Sequence, residues 1–346
     1  MGGGTRRGRP KRSPISAPEA AVLDDPDRRI VAALQISPRA SWQQIATGLG
    51  VSESTVSRRA KRLLRDGSVH VAAIPDPLRC GIGFPVLVQA ECSVGAAEDV
   101  ARTLALRSDV RFLALLTGTY DLVFEVIVPS RDELGEVVIR QFSQVSGITR
   151  TTTETVIHNF KMSYDWSRSL LGEQAAALDH GPRARMSSGG PVGVDAIDLQ
   201  LLQLLGADGR LSAAELAQQS DVSESSARRR VEELASSGAI HFGTLVDPRL
   251  MGFDSPVFMW LDVDLASIEV VAERLSAHPE VRYLSATAGY SDLIVEVILP
   301  DLDRLYGFMT EVVGSLPGVR RSRVGLEIDT VKRGYLTEEV LSTGRT

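Results

Sequence analysis

Between residues 24 and 67 apolar side chains recur at intervals of three and four, the spacing of helices with one buried face. Ile30, Ala33 and Leu34 mark one helix; Ile45, Ala46 and Leu49 mark a short second; Val56, Ala60, Leu63 and Leu64 mark a third. Ser52 stands where the third helix needs an N-cap and Gly67 where it needs a left-handed stop. Three short helices with the tight turn "LGVS" between the last two have the layout of a helix-turn-helix unit. The pattern then changes to β-rich runs, "FPVLVQAEC", "VRFLALLTG", "DLVFEVIVP" and "GITRTTTETVI". Amphipathic segments, "AAEDVARTLAL" and "RDELGEVVIRQFSQV", fall between the first and second runs and between the third and fourth. The order β-α-β-β-α-β predicts a ferredoxin-like sandwich.

The whole pattern is then written again. Sliding the sequence by 171 positions aligns residues 24–164 with 195–335 without a gap, and 41 of the 141 pairs are identical. Chance does not hold one register over that length, so the chain is a tandem duplication. The predicted fold class is α+β: two repeats of a three-helix (winged) helix-turn-helix domain, each followed by a ferredoxin-like βαββαβ sandwich. The boundaries read as a basic tail at 1–20, helix-turn-helix 1 at 21–70, sandwich 1 at 71–166 and a Gly/Ser/Ala/Pro-rich linker at 167–193. Helix-turn-helix 2 follows at 194–241, sandwich 2 at 242–336 and a tail at 337–346.

Charge sharpens this picture. The net charge of −6 does not point to nucleic acid, but Arg6, Arg7, Arg9, Lys11 and Arg12 put five cations in the first twelve residues. Residues 24–70 hold eight cations and five acids, a balance of +3, whereas 195–241 hold four cations and eight acids, a balance of −4. Neutralising phosphates supplies most non-specific DNA affinity, so the two units should differ as DNA readers. With only Cys80 and Cys92, far apart in sequence, no disulfide framework or CxxC site is expected. No apolar run approaches the ~18 residues of a membrane span, and no secretory leader is expected.

The sequence resembles the leucine-responsive/asparagine (Lrp/AsnC) regulators. The resemblance rests on the openings "DDPD" and "DAID", the second helices "PRASWQQIA" and "GRLSAAELA", and "VSES…RR…L…G" in the third. It continues through "DPLRCG" and "DPRLMG", the turns "GTYDLVFEV" and "GYSDLIVEV", and the strand entries "SGITR" and "PGVRR". It implies a DNA-binding helix-turn-helix joined by a strand to an effector-binding sandwich, with sandwiches pairing into dimers and larger assemblies. Most such proteins carry one unit per chain, so the fusion is a departure. Double-stranded DNA, a small effector such as an amino acid, and further copies of the chain are the implied partners; a cytoplasmic, nucleoid-associated location follows.

With Val56, Ala60 and Leu63 inward, the third helix turns Ser54, Thr55, Ser57, Arg58, Lys61, Arg62 and Arg65 outward, where a recognition helix meets bases and phosphates. Arg229 and Arg230 hold the matching places in the second repeat, where Glu232 and Glu233 replace Lys61 and Arg62. "RRGRPKR" resembles an AT-hook, with Arg7 and Arg9 suited to a narrow minor groove; a generic basic tail is the alternative.

For the effector, the resemblance points to the Gly-x-x-Asp turns: Thr117, Gly118, Tyr120 and Asp121 in one repeat, and Gly289, Ser291 and Asp292 in the other. Glycine bares N–H groups to a carboxylate, aspartate suits an ammonium, and Thr151 and Thr153 add hydroxyls from a neighbouring strand. The plainer reading is a pair of β-turns. Neither a catalytic motif nor a cofactor or metal signature is present. The competing readings are a siroheme decarboxylase-like enzyme on the same layout and a sensor with vestigial readers.

Overall fold

The computed structural model describes residues 22–162, 164–179 and 190–334, with backbone alone at 336–337. The first reader grows from capped helices. α1 (Asp25–Ile36) starts on Asp24, whose carboxylate accepts the Asp27 N–H at 2.9 Å. α2 (Trp42–Leu49) carries a capping box between Ser41 and Gln44 and stops at Gly50, which has φ +68°. α3 (Glu53–Arg65) is capped by Ser52 and buries Val56, Ala60 and Leu63 in one cluster with Ile30, Leu34 and Ile45. The second repeat places Asp221 at φ +53° where Gly50 stood, a left-handed backbone that a side chain with a Cβ resists.

After the first reader come β1 (Val69–Pro75), β2 (Phe84–Cys92), α4 (Ala97–Ala105), β3 (Val110–Leu116) and β4 (Leu122–Val128). α5 (Arg131–Gly135) follows and continues as a π-helical stretch over Glu136–Gln141, before β5 (Ile148–Met162). A 3-10 turn at Arg168–Leu171 and α6 (Gln174–Leu178) lead toward the second repeat. That repeat runs α7 (Ala196–Ala207), α8 (Ala213–Ser220), α9 (Glu224–Ser236), β6 (Ile240–Val246), β7 (Ser255–Val263) and α10 (Ile268–Ala277). It finishes with β8 (Val281–Ala288), β9 (Leu293–Leu299), α11 (Leu302–Gly307) with its π-helical extension Phe308–Val312, β10 (Val319–Arg333) and β11 (Leu336–Thr337).

The two strand sets do not stay apart. β5 pairs antiparallel with β2 up to Thr155, then runs on against β8 as far as Met162. β10 does the reciprocal, pairing with β7 to Leu326 and with β3 from Glu327 to Arg333. The order β3-β4-β2-β5-β8-β9-β7-β10 therefore closes on itself, with β11 at the side of β10. Closure removes the sheet edges that two separate sandwiches would expose. Helices cover the outside: Val100, Leu104 and Phe142 pack on Val86, Val88 and Phe124 in one half, and Val271, Leu275 and Phe308 pack on Val257, Met259 and Val295 in the other. A third cluster, including Leu87, Tyr120, Val156, Phe258, Trp260 and Ile294, fills the interior shared by the halves. Each such side chain stabilises the closed form by about 1.5–3 kcal/mol.

The readers are joined as well. β1 pairs antiparallel with β6 along its whole length, from Val69 opposite Val246 to Pro75 opposite Ile240. Arg39 donates to the Leu211 carbonyl at 2.8 Å and lies over the Phe242 ring. Arg210, its counterpart in the repeat, donates to the Ala40 carbonyl at 2.9 Å and lies over Trp42. The start of the interrepeat segment is ordered too. The Ser37 hydroxyl donates to the Leu178 carbonyl at 2.9 Å and the Ser167 hydroxyl to Gln35 at 2.6 Å, fastening this stretch to the first reader.

Candidate nucleic-acid interface and effector turns

α3 presents one strip of cations, and its neighbours decide which of them are available. Arg59 reaches Asp24 and Asp27, both at 2.8 Å, and Arg62 also pairs with Asp27, whose side chain is buried. The Asp27 N–H, and after it Arg59, hold the Asp24 carboxyl below the usual range. These contacts explain the Asp-x-x-Asp opening: it ties the first helix of the reader to the third. Arg62 is exposed, as expected of the outward face, and also reaches back to α1. Arg58, Lys61 and Arg65 are exposed and have no ion pair among the described residues. Ser54 is exposed, Thr55 and Ser57 are half-buried, and the Ser54 and Thr55 hydroxyls lie 3.2 and 2.8 Å from the Ser52 cap.

The second reader repeats the tie and loses the strip. Arg230, the counterpart of Arg59, reaches Asp195 and Asp198 at 2.8 Å, so it braces the fold and is not free for DNA. Arg229 pairs with Glu233 at 2.8 Å and Arg228 with Glu224 at 3.0 Å, one helical turn away in each case. The expected outward role of both Arg229 and Arg230 is thus opposed by local acids. Arg7 and Arg9 lie outside the described residues.

The Gly-x-x-Asp turns sit where one half meets the other. One carboxylate oxygen of Asp121 accepts the Cys92 N–H at 2.7 Å, as one of Asp292 accepts the Val263 N–H at 2.7 Å. Both aspartates thus finish a strand end. Thr117 bonds across to the second half, its N–H to the Leu326 carbonyl at 2.8 Å and its hydroxyl accepting the Leu326 N–H at 3.3 Å. Gly289 packs on β5, where a Cβ would lie 3.0 Å from the Thr153 carbonyl. The Thr153 main chain thus runs beside the second turn, and Thr151 lies opposite Ala90 in the β2–β5 ladder. Gly118 is exposed, Tyr120 is buried edge-on to Trp260, and Ser291 is buried. Sequence reasoning missed Arg59 and Glu154, the buried partner of Ser291; the recurrence of Arg59 at Arg230 was the available signal.

Comparison with known families places both parts. The Lrp/AsnC ligand-binding domain matches residues 86–166 and again 256–337, and the AsnC-type helix-turn-helix domain matches 23–64. The chain belongs to the Lrp/AsnC family. A winged helix-turn-helix DNA-binding model matches 194–241, the second reader. The chain is thus a DNA-binding transcriptional regulator of the Lrp/AsnC type. Among its relatives, the uncharacterised HTH-type transcriptional regulator PH0140 of Pyrococcus horikoshii is 32% identical over 42% of this chain and 92% of its own length. The HTH-type transcriptional regulator Ptr1 of Methanocaldococcus jannaschii is 30% identical over 41% and 96%. One repeat thus spans nearly a whole relative. The siroheme decarboxylase NirDL shares the fold across both repeats, with a TM-score of 0.58 over 92% of this chain and 97% of that one, at 13% identity.

In this Lrp/AsnC chain no helix among the described residues is long and apolar enough to cross a membrane, and no cluster of His, Cys, Asp and Glu there could hold a metal ion. A small recess lies between the β1–β6 ribbon and the barrel, lined by Asp76, Arg111, Asn159, Met162 and His241 among others. His241 stacks on Tyr164, its Nε2 is sealed from solvent without a hydrogen-bond partner, and burial drives its pKa down to about 4. Unfolding returns that pKa to about 6.5, so the unfolded chain binds the extra proton between these values. Stability should therefore fall by roughly 2–3 kcal/mol as pH drops from 7 toward 4. Urea unfolding at pH 7 and 5 measures it; His241→Phe should flatten this part of the pH dependence, and an unchanged slope would place its source elsewhere.

Proposed function

We propose that the first repeat supplies most of the DNA affinity of this regulator, through Arg58, Lys61 and Arg65 on α3 with Ser54, Thr55 and Ser57 at its N-terminal end. The carrying observation is the contrast between helices: three exposed cations without an ion pair among the described residues on α3, against intrahelical Arg–Glu pairs on α9. Arg7 and Arg9 add electrostatic capture. The second reader, with Arg229, holds a weaker half-site. The chain is read as two repeats of a three-helix reader and a ferredoxin-like sandwich, divided at the boundaries given above, and as acting on DNA in the cytoplasm, with further assembly through the sandwiches. Chemistry on a tetrapyrrole is not part of this reading. DNase I footprinting of the native chain tests the DNA assignment: one strongly and one weakly protected half-site supports it, and two equal half-sites overturn it.

The effector reading is that a small carboxylate-bearing metabolite, an amino acid being the simplest, binds the exposed tip of a turn and shifts the population of DNA-bound states. A thermal-shift screen of the common amino acids should yield a stabiliser worth a few degrees. Filling the exposed tip of the first turn with Thr119→Trp should abolish that shift, whereas an equal shift in the variant would put the effector elsewhere.

A further inference from the structure

The two turns differ in what already sits on them. Glu154 on β5 is fully buried and crosses to the turn of the other half. One carboxylate oxygen accepts both the Ser291 N–H and the Ser291 hydroxyl at 2.8 Å, and the other accepts the Gln89 amide at 3.1 Å. Burial pushes the Glu154 carboxyl above its ordinary range, and the donors from Ser291 and Gln89 oppose that push. The turn is moulded to this side chain, since a Cβ on Gly289 would lie only 2.7 Å from the Glu154 Cγ. Backbone N–H groups of a turn are what a free carboxylate would use. Here a carboxylate from the same chain uses them.

The repeat supplies its own comparison. At the positions of Glu154, Gln89 and Ser291 the opposite set carries Gly325, Trp260 and Tyr120. There Tyr120 packs edge-on against Trp260 with centroids 5.5 Å apart. A side chain at position 325 would be crowded, with its Cβ 3.1 Å from the Thr117 carbonyl and 3.4 Å from the Trp260 ring. The Tyr120 N–H, equivalent to the Ser291 N–H, has no acceptor among the described residues. Any acceptor for it comes from outside the described residues.

Resting on the effector reading of these turns, we propose that Glu154 is a tethered carboxylate ligand of the turn at 288–292, so that only the turn at 117–121 answers to a free small carboxylate. The duplication has thereby fixed one regulatory half in its occupied state. It also makes the chain respond to one effector where two identical units would respond to two.

Chemical rescue tests this directly, with formate as the probe and chloride at equal ionic strength as the control. Glu154→Ala leaves the Ser291 and Gln89 donors facing a carboxylate-sized hole. About 100 mM formate should then raise its unfolding midpoint, relative to chloride, by about 2–4 °C more than it raises that of the wild-type chain, and should shift the Ser291 amide resonance, which stays unmoved in the wild type. Glu154→Gly, the residue found at the equivalent position 325, serves if the alanine variant does not fold. Equal responses in wild type and variant, a variant indifferent to formate, or variants that fold in neither salt would overturn the proposal. DNA is absent from the measurement and the first turn is untouched, so failure here leaves the α3 assignment and the Thr119→Trp test standing.

Discussion

Arg58→Ala combined with Lys61→Ala lowers affinity for operator DNA by about 100-fold at near-physiological salt, or roughly 3 kcal/mol. An arginine reading a base contributes about 1–3 kcal/mol and a phosphate contact adds to it, and neither cation has an ion pair to give up first among the described residues. The dependence of log affinity on log salt should flatten by about one unit for each phosphate contact removed. Arg229→Ala, at the matching place in α9, should change affinity less than about threefold, because its guanidinium is already on Glu233 at 2.8 Å. Fluorescence anisotropy over a salt series measures both numbers. Equal losses in the two repeats would overturn the ranking of the readers.

Glu296→Ala is the costliest single substitution expected in the barrel. Glu296 is 4% exposed and its Oε1 lies 3.3 Å from Arg282 and 2.8 Å from Arg333, themselves 7% and 17% exposed. Its removal leaves two largely buried guanidiniums without their shared carboxylate, a loss of about 3–5 kcal/mol. Glu233→Ala breaks an ion pair of similar length but is more than half exposed, and should change stability by no more than about 0.5 kcal/mol. Urea unfolding of both variants makes the comparison. A loss below about 1 kcal/mol for Glu296→Ala would mean that water reaches the pair.

The helical readers were legible because their signals are local: Ser41 and Ser52 cap, Gly50 stops, and Val56, Ala60 and Leu63 face inward at helical spacing. The strand order within each half followed from alternation and helix placement. Ring closure did not, because the second halves of β5 and β10, "HNFKM" and "DTVKR", carry little alternation and obtain their partners from a repeat 171 residues away. The site residues divide the same way. Arg58 and Lys61 stand out in sequence because helical phase alone exposes them. The bracing contacts of Arg62 and Arg230 were not legible because their partners, Asp27 and Asp198, lie 35 and 32 residues away. The bond from the Cys92 N–H to Asp121 was not legible, because a main-chain donor leaves no trace in residue identity.

The reciprocal grip of Arg39 and Arg210 across the readers, with β1 laid along β6, bears on how occupancy scales with copy number. Two separate single-unit subunits must first collide, so at low abundance the competent species thins out with the square of concentration. Here both heads leave the ribosome on one polypeptide, and that second-order step is gone. Formation of the two-headed unit should therefore be independent of how many chains the cell holds, and exchange of one head with a related regulator has no route through this joint.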